Sequence, residues 1–317
     1  MVNAAVLAST LCLLAACSAS STTQAPTTKA ATTPPAAAPP GSAAAATAGG
    51  STPPAALAAP AFRHCGELAC KAFPSAQAAF DHVLTEQPRV LAIGEAHAQQ
   101  SGPQSRSTTR RFMEDLLPRL APRASDLVIE LWVASGSCGK VERQVAGQQQ
   151  AVTAPQAATN QSEFLELGHH AKALSIQPQA LIPTCEQYQA IAGAGPSDIE
   201  AMLTMLKSVT ERDVAALVAR RPPERLIVAY GGAMHNDLAP RPGREDFAFG
   251  PELARLTGER YVELDLIVPE QIRDTEAWRG LPWYAQYSHK KAGSEAILLS
   301  WAPHAYALIF PQAEAAP

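Results

Sequence analysis

Beyond residue 74 the apolar side chains recur with two periods, and the alternation between them lays out the fold. Residues 75–85 repeat at the helical spacing, with Ala79, Phe80, Val83 and Leu84 on one side. Ser75, directly after Pro74, is placed to cap that helix. Residues 89–93 are a short apolar run of strand type. Residues 108–117 return to the helical period through Phe112, Met113, Leu116 and Leu117, and Pro118 is expected to end or kink that helix. Residues 127–133, Leu-Val-Ile-Glu-Leu-Trp-Val, form the next strand. Strand, helix, strand in this order is the pattern of a parallel sheet.

The pattern continues to the end of the chain. Residues 135–160 show no clear period and read as helix or loop. A helix is expected over 161–174, with Phe164, Leu167, Ala171 and Leu174 aligned, then a strand over 179–184 that stops at Pro183. Two helices are expected over 198–206 and 211–219, a strand over 225–230, and a short helix over 251–256. In the strand expected over 261–268, Val262, Leu264 and Leu266 alternate with Glu263 and Asp265, which predicts one wet face. Strands over 296–301 and 305–310 close the series. No repeat of fixed period is present. The fold class is therefore α/β: a central, largely parallel sheet flanked by helices, with the site at the carboxyl ends of the strands. Residues 61–317 form a single α/β domain, long enough to bury a large core.

The first sixty residues differ in kind. They carry one charged side chain, Lys29, amid Ala, Pro, Thr, Ser and Gly. Residues 6–16 are apolar but too short to span a bilayer comfortably. They run into Leu14-Ala-Ala-Cys17-Ser, which resembles a bacterial lipobox. That resemblance implies a signal peptide over 1–16, cleavage before Cys17, and lipidation of Cys17; an ordinarily cleaved or uncleaved signal is the other reading. Residues 17–60 then form a disordered Ala/Pro/Thr tether.

The net charge of −4, from 25 basic and 29 acidic side chains, leaves no electrostatic footprint for nucleic acid. Once Cys12 leaves with the signal and Cys17 takes lipid, Cys65, Cys70, Cys138 and Cys185 remain. In an exported protein they favour disulfides. The pairing Cys65–Cys70 and Cys138–Cys185 is preferred, because the latter two each lie just beyond an expected strand. A zinc site is the rival, and no C-x-x-C pair supports it.

The candidate chemistry sits where strands break at glycine. The first strand ends Ile-Gly94-Glu95-Ala-His97, and the fourth ends Tyr230-Gly231-Gly232-Ala-Met-His235. Glu130 lies inside an apolar run, where a carboxylate is costly unless paired or metal-bound. If the strands are parallel neighbours, Glu95, His97, Glu130 and His235 share one pocket. They would serve there as catalytic groups or as ligands of a zinc, manganese or iron ion. Gly231-Gly232 offers backbone N–H groups to an anion. Tyr230 is either a haem ligand, a substrate contact or a plain strand aromatic. Glu186 follows the third strand and reads equally as a site residue or a helix start. His169 and His170 are adjacent on a helix and point to different sides. Trp278, Trp283, Tyr284 and Tyr287 either line a pocket or cap the core. No G-x-S-x-G occurs, so Ser135-Gly-Ser137 is not a nucleophile elbow.

Taken together, these turns and the strand carrying Glu130 resemble the superfamily that joins ChaN-like haem-binding-uptake proteins and Tiki proteases, with erythromycin esterases and TraB-type proteins as distant members. The resemblance covers roughly residues 75 to 312 and implies the α/β fold already read. ChaN-like members are membrane lipoproteins implicated in haem binding and iron uptake. Erythromycin-esterase-like members hydrolyse a lactone with a His and Glu site, and Tiki-like members are metal-dependent proteases. The Gly-Glu-x-His turn and the lipobox tilt the resemblance to the ChaN-like branch. It implies a lipoprotein anchored to a bacterial membrane, at the periplasmic face or cell surface, binding haem or a divalent metal ion. A metal-assisted or His/Glu-based hydrolase, esterase or peptidase, at the same site is the alternative. The partners implied are the membrane, through the lipid, and a small-molecule ligand or substrate, with a homodimer left open.

Overall fold

The computed structural model describes residues 59–100, 105–195, 199–287 and 293–312. The signal peptide, Cys17 and nearly all of the tether lie outside the described residues.

The chain folds as an α/β domain around a nine-stranded sheet. Its strands are β1 Arg63–His64, β2 Lys71–Phe73, β3 Val90–Glu95, β4 Ala124–Trp132, β5 Gln177–Leu181, β6 Leu226–Gly232, β7 Tyr261–Ile267, β8 Ala296–Ala302 and β9 Ala305–Ile309. The spatial order is β1-β2-β8-β9-β7-β3-β6-β4-β5. From β9 to β5 every pairing is parallel. The hairpin of β8 and β9 and the short β2 and β1 extend one edge antiparallel. Pro178 lies in β5 at the opposite edge, where its missing N–H leaves no ladder bond unmade.

Helices cover both faces. On one face, α1 (Ala76–Leu84) and α5 (Asn160–Ala173) pack with the segment 108–120 against Leu91, Ile93, Leu127, Ile129 and Val228. On the other, α6 (Cys185–Ala194), α7 (Glu200–Arg220) and α8 (Gly250–Thr257) pack against Val90, Ala92, Val128 and Ile227. Helix α4 (Lys140–Thr153), in the stretch without a period, contributes Val145 to this second face. Ser75 caps α1 as expected, its Oγ accepting from the Ala78 N–H at 3.2 Å. Trp283 is fully buried in a smaller cluster with Ile267, Leu299 and Ile309, against which Trp278, Tyr284 and Tyr287 pack, so the aromatics cap the core.

Several expectations are corrected. Pro118 does not end its helix. Thr108–Arg111 (α2) passes into a π-type turn at Phe112–Leu116, then into Leu117–Leu120 (α3). The wide turn lets the Leu117 N–H reach the Phe112 carbonyl just before the residue that has no N–H to give. The two helices expected between 198 and 219 are one, α7. Its polar middle continues the helix, with Val209 and Thr210 buried and the half-buried Lys207 and Glu211 paired at 2.8 Å one turn apart. Arg89 closes the C-terminus of α7 by donating to the carbonyls of Val218, Arg221, Pro222 and Arg225. The wet face expected on β7 is dry. The strand lies between β3 and β9 with both faces covered, and Glu263 and Asp265 are 2% and 4% exposed.

Both disulfides, Cys65–Cys70 and Cys138–Cys185, are formed. The first closes a turn ahead of β2. The second ties the start of α6 to the loop after β4.

Candidate functional site

Strands β3 and β6 are parallel neighbours with Gly94 opposite Gly231 and Glu95 opposite Gly232. Both Gly-x-x-His turns therefore leave the sheet at one level. On the far side of β6, Ile129 pairs with Tyr230, which sets Glu130 beside Gly231. The carboxyl ends of β3, β6 and β4 thus form a single rim that carries all four expected residues, every one buried.

Side-chain alternation then divides them. Glu95 and Tyr230 share the parity of Leu91, Ile93 and Val228, and point to the α1/α5 face. There the Glu95 carboxylate is saturated. Its Oε1 accepts from His97 Nδ1 at 2.9 Å. Its Oε2 accepts from Thr109 Oγ1 at 2.7 Å and from the Tyr230 hydroxyl. Because the carboxylate is an acceptor only, His97 Nδ1 carries the hydrogen, and Nε2 is the acceptor nitrogen of the neutral ring. Phe112 stacks on Tyr230 with centroids 4.7 Å apart, and Phe164 meets both Tyr230 and His97 edge-on. A second acid, Glu163 of α5, is buried close by. Burial raises its pKa, and the charge of Glu95 adds to the rise, against hydrogen bonding from Ser107 and the positive charge of Arg110.

Glu130 and His235 occupy the opposite face. Glu130 has the parity of Val128 and Trp132. Its Oε2 accepts the Gly232 N–H at 2.7 Å, so the backbone donor expected to hold a foreign anion already holds the protein's own carboxylate. Gly231 is required for this: a Cβ there would collide with Glu130 Oε2 and lie 2.9 Å from Glu130 Cβ. His235 sits in the turn after β6, its Nδ1 donating to the Phe247 carbonyl at 2.7 Å. That bond also fixes a tautomer, with the lone pair on Nε2.

Between these groups lies a small cavity of about 10 Å³, lined by Glu130, His235, Asn236, Thr210, Phe249 and the β6 backbone among others. That is room for about one water molecule. Three buried atoms of the lining residues have no hydrogen-bond partner among the described residues: Glu130 Oε1, His235 Nε2 and Asn236 Oδ1. The first and the last can only accept, and so can Nε2 in the tautomer held by Phe247.

The single pocket expected for Glu95, His97, Glu130 and His235 is thus two clusters, back to back at one rim. Among the described residues no group of three or more His, Cys, Asp and Glu side chains is arranged to hold a metal ion. This cavity is too small for haem, and the Tyr230 hydroxyl is engaged by Glu95 beneath the Phe112 ring. Glu186 is exposed in the first turn of α6, and His169 and His170 are exposed on α5. Thr109, Glu163 and Asn236 were not singled out from the sequence. Asn236 had a signal, standing next to His235; Thr109 and Glu163 had none, being ordinary helix positions.

No family model and no curated protein matches the sequence. Among solved structures, the type III effector HopBA1 is similar at a TM-score of 0.36 and 11% identity, over 77% of this chain and 94% of that one. A protein from Bacillus cereus is similar at a TM-score of 0.28 and 12% identity, over 62% and 71%. Likenesses this low carry no argument about fold or function. Among the described residues no helix is long and apolar enough to cross a membrane.

Proposed function

We propose that this chain is an exported hydrolase, held on a bacterial membrane by lipid at Cys17, that activates water at the rim of β4 and β6. The carrying observation is the water-sized cavity lined by residues with three buried acceptors that no described residue answers. A water there has two hydrogens to give, and His235 Nε2 and Glu130 Oε1 are placed to take them. Its lone pairs then point at whatever carbonyl carbon enters the site. In the step, the water oxygen bonds to that carbon and its proton moves to His235 Nε2. The proton next passes to the leaving oxygen or nitrogen as the carbon–heteroatom bond breaks. Glu130 holds the water's other hydrogen and so keeps the oxygen in place. Glu95 holds His97 as a second oriented imidazole on the adjoining strand. Two disulfides support an oxidising compartment.

A panel of carboxylic esters, lactones and peptides tests this. Turnover should fall ~10²–10⁴-fold in Glu130→Gln and in His235→Ala. Turnover that survives both changes would overturn the mechanism.

The same three acceptors favour a second reading, a small divalent cation in place of the water, with Glu130, His235 and Asn236 as its protein donors. Elemental analysis of natively purified protein separates the two. A stoichiometric metal lost in Glu130→Gln selects the cation, and none selects water.

A further inference from the structure

The acids of β7 are not explained by the site so far. Tyr261, Glu263 and Asp265 alternate along the strand, so all three face the α8 side, the side of the cavity. Each reaches the turn that carries His235. The Tyr261 hydroxyl donates to the Asn236 carbonyl at 2.6 Å. Asp265 Oδ1 accepts from Asn236 Nδ2 at 3.0 Å. Glu263 Oε2 accepts the Leu238 N–H at 2.6 Å. The three bonds leave alternate residues of β7 for residues 236–238, two reaching Asn236 and one Leu238, as ties between a rigid strand and a turn.

The packing around these ties leaves the turn no other seat. A Cβ on Gly94 would stand 2.6 Å from Asp265 Oδ1, 2.7 Å from Asn236 Oδ1 and 2.6 Å from Ala233 Cα. The pair of side chains therefore lies directly over β3, through space only glycine leaves open. On the other side, a Cβ on Gly250 would stand 2.8 Å from the Asn236 carbonyl, and Phe249 N–H donates to the His235 carbonyl at 2.9 Å. An apolar strand face would pack against α8 as well as these acids do and would avoid the cost of burying them. Retaining two carboxyls and a phenol here has a consequence that apolar packing lacks: the turn is fixed in register, not merely covered.

We infer that Tyr261, Glu263 and Asp265 are positioning residues, which hold residues 236–238 and thereby set His235 Nε2 and Asn236 Oδ1 on the cavity. What His235 then does rests on the hydrolytic reading; where it sits does not. Burial raises the pKa of both Glu263 and Asp265 well above the usual carboxylate range, in keeping with neutral groups that bond without bringing charge to the site.

The test is the ring tautomer of His235, read by NMR on the full chain labelled with ¹⁵N-histidine and assigned by loss of its signals in His235→Gln. The parent should show the Nδ1–H form. Asp265→Ala and Tyr261→Phe should move the His235 ring nitrogens and mix its tautomers. Asp265→Asn, which keeps an acceptor oxygen, should restore the parent pattern. The His97 signals, on the other face, should hold still throughout and report that the domain is folded. Tyr261→Phe removes one oxygen only, so it decides the matter even where Asp265→Ala does not fold. An unchanged His235 pattern in Tyr261→Phe, with His97 also unchanged, would overturn the inference. Because no substrate enters the measurement, an inactive parent whose His235 still moves in these variants would sink the hydrolytic reading and leave the positioning intact.

Discussion

On one side of the β3–β6 rim, the Glu95 carboxylate receives three donors, His97, Thr109 and Tyr230, and the aromatic rings of Phe112 and Phe164 close over them. On the other side, Glu130, His235 and Asn236 present acceptors that no described residue answers. Both regions bury a carboxylate and an imidazole, at the same level, on paired strands. They differ in balance. A saturated network holds its members in one geometry. An unsaturated one costs free energy, about 1–3 kcal/mol for each unmet group, unless a guest supplies the missing hydrogens or charge. The comparison teaches that the Glu95 carboxylate is held as framework while the Glu130 carboxylate keeps one oxygen for a guest, although the sequence motifs at the two look alike.

The sharpest way to break that comparison is to remove one acceptor from each side. His235→Ala should abolish nearly all turnover, a loss of ~10²–10⁴-fold, while the protein still melts cooperatively. If the loss is confined to Glu95 and His97 variants instead, the two sides exchange roles. Next in size is Gly231→Ala. The added methyl must displace Glu130, so unfolding free energy in urea should fall by ~1–3 kcal/mol and turnover should go with it.

Tyr230→Phe probes the saturated side. It removes one of three donors to Glu95 and should cost ~1–2 kcal/mol of stability, read by denaturant titration, with turnover affected less than by any change at Glu130.

The most gradual effect expected is on pH dependence. Asp265 is ionised in the unfolded chain above about pH 4, whereas burial, with the negative charge of Asp237 adding, keeps it protonated in the fold. Its folded pKa is raised, so its contribution to stability is greatest below the unfolded value. It declines as pH rises from there towards the folded one. Asp265→Asn removes that decline. The variant should gain on the parent as pH rises above 5 in thermal melts, by about 1.4 kcal/mol for each pH unit over which Asp265 stays protonated in the fold. A melting difference that does not change as pH rises would show that Asp265 is charged in the fold.

Much of this architecture could be read along the chain. The strand runs, the Ser75 cap, the Cys65–Cys70 bridge and the Gly-x-x-His turns are local: each depends on residues a few positions apart, and the structure has them where the pattern put them. The errors were of one kind. Pro118, the middle of α7 and the acids of β7 were judged by what a residue type usually does next to its neighbours. A π-type turn, an ion pair one helical turn apart and a second covered face then overrode that habit.

The sequence by itself determined that Glu95, His97, Glu130 and His235 stand at strand ends, because apolar period and glycine breaks are properties of the chain. Which of them face each other was decided only in the tertiary structure. Alternation assigns side chains to two faces within one strand, but the parity of Glu130 relative to Glu95 depends on the register of β4 and β3 across β6. That register is set by packing between residues far apart in the chain, and it turned one expected pocket into two clusters of unlike hydrogen-bond balance.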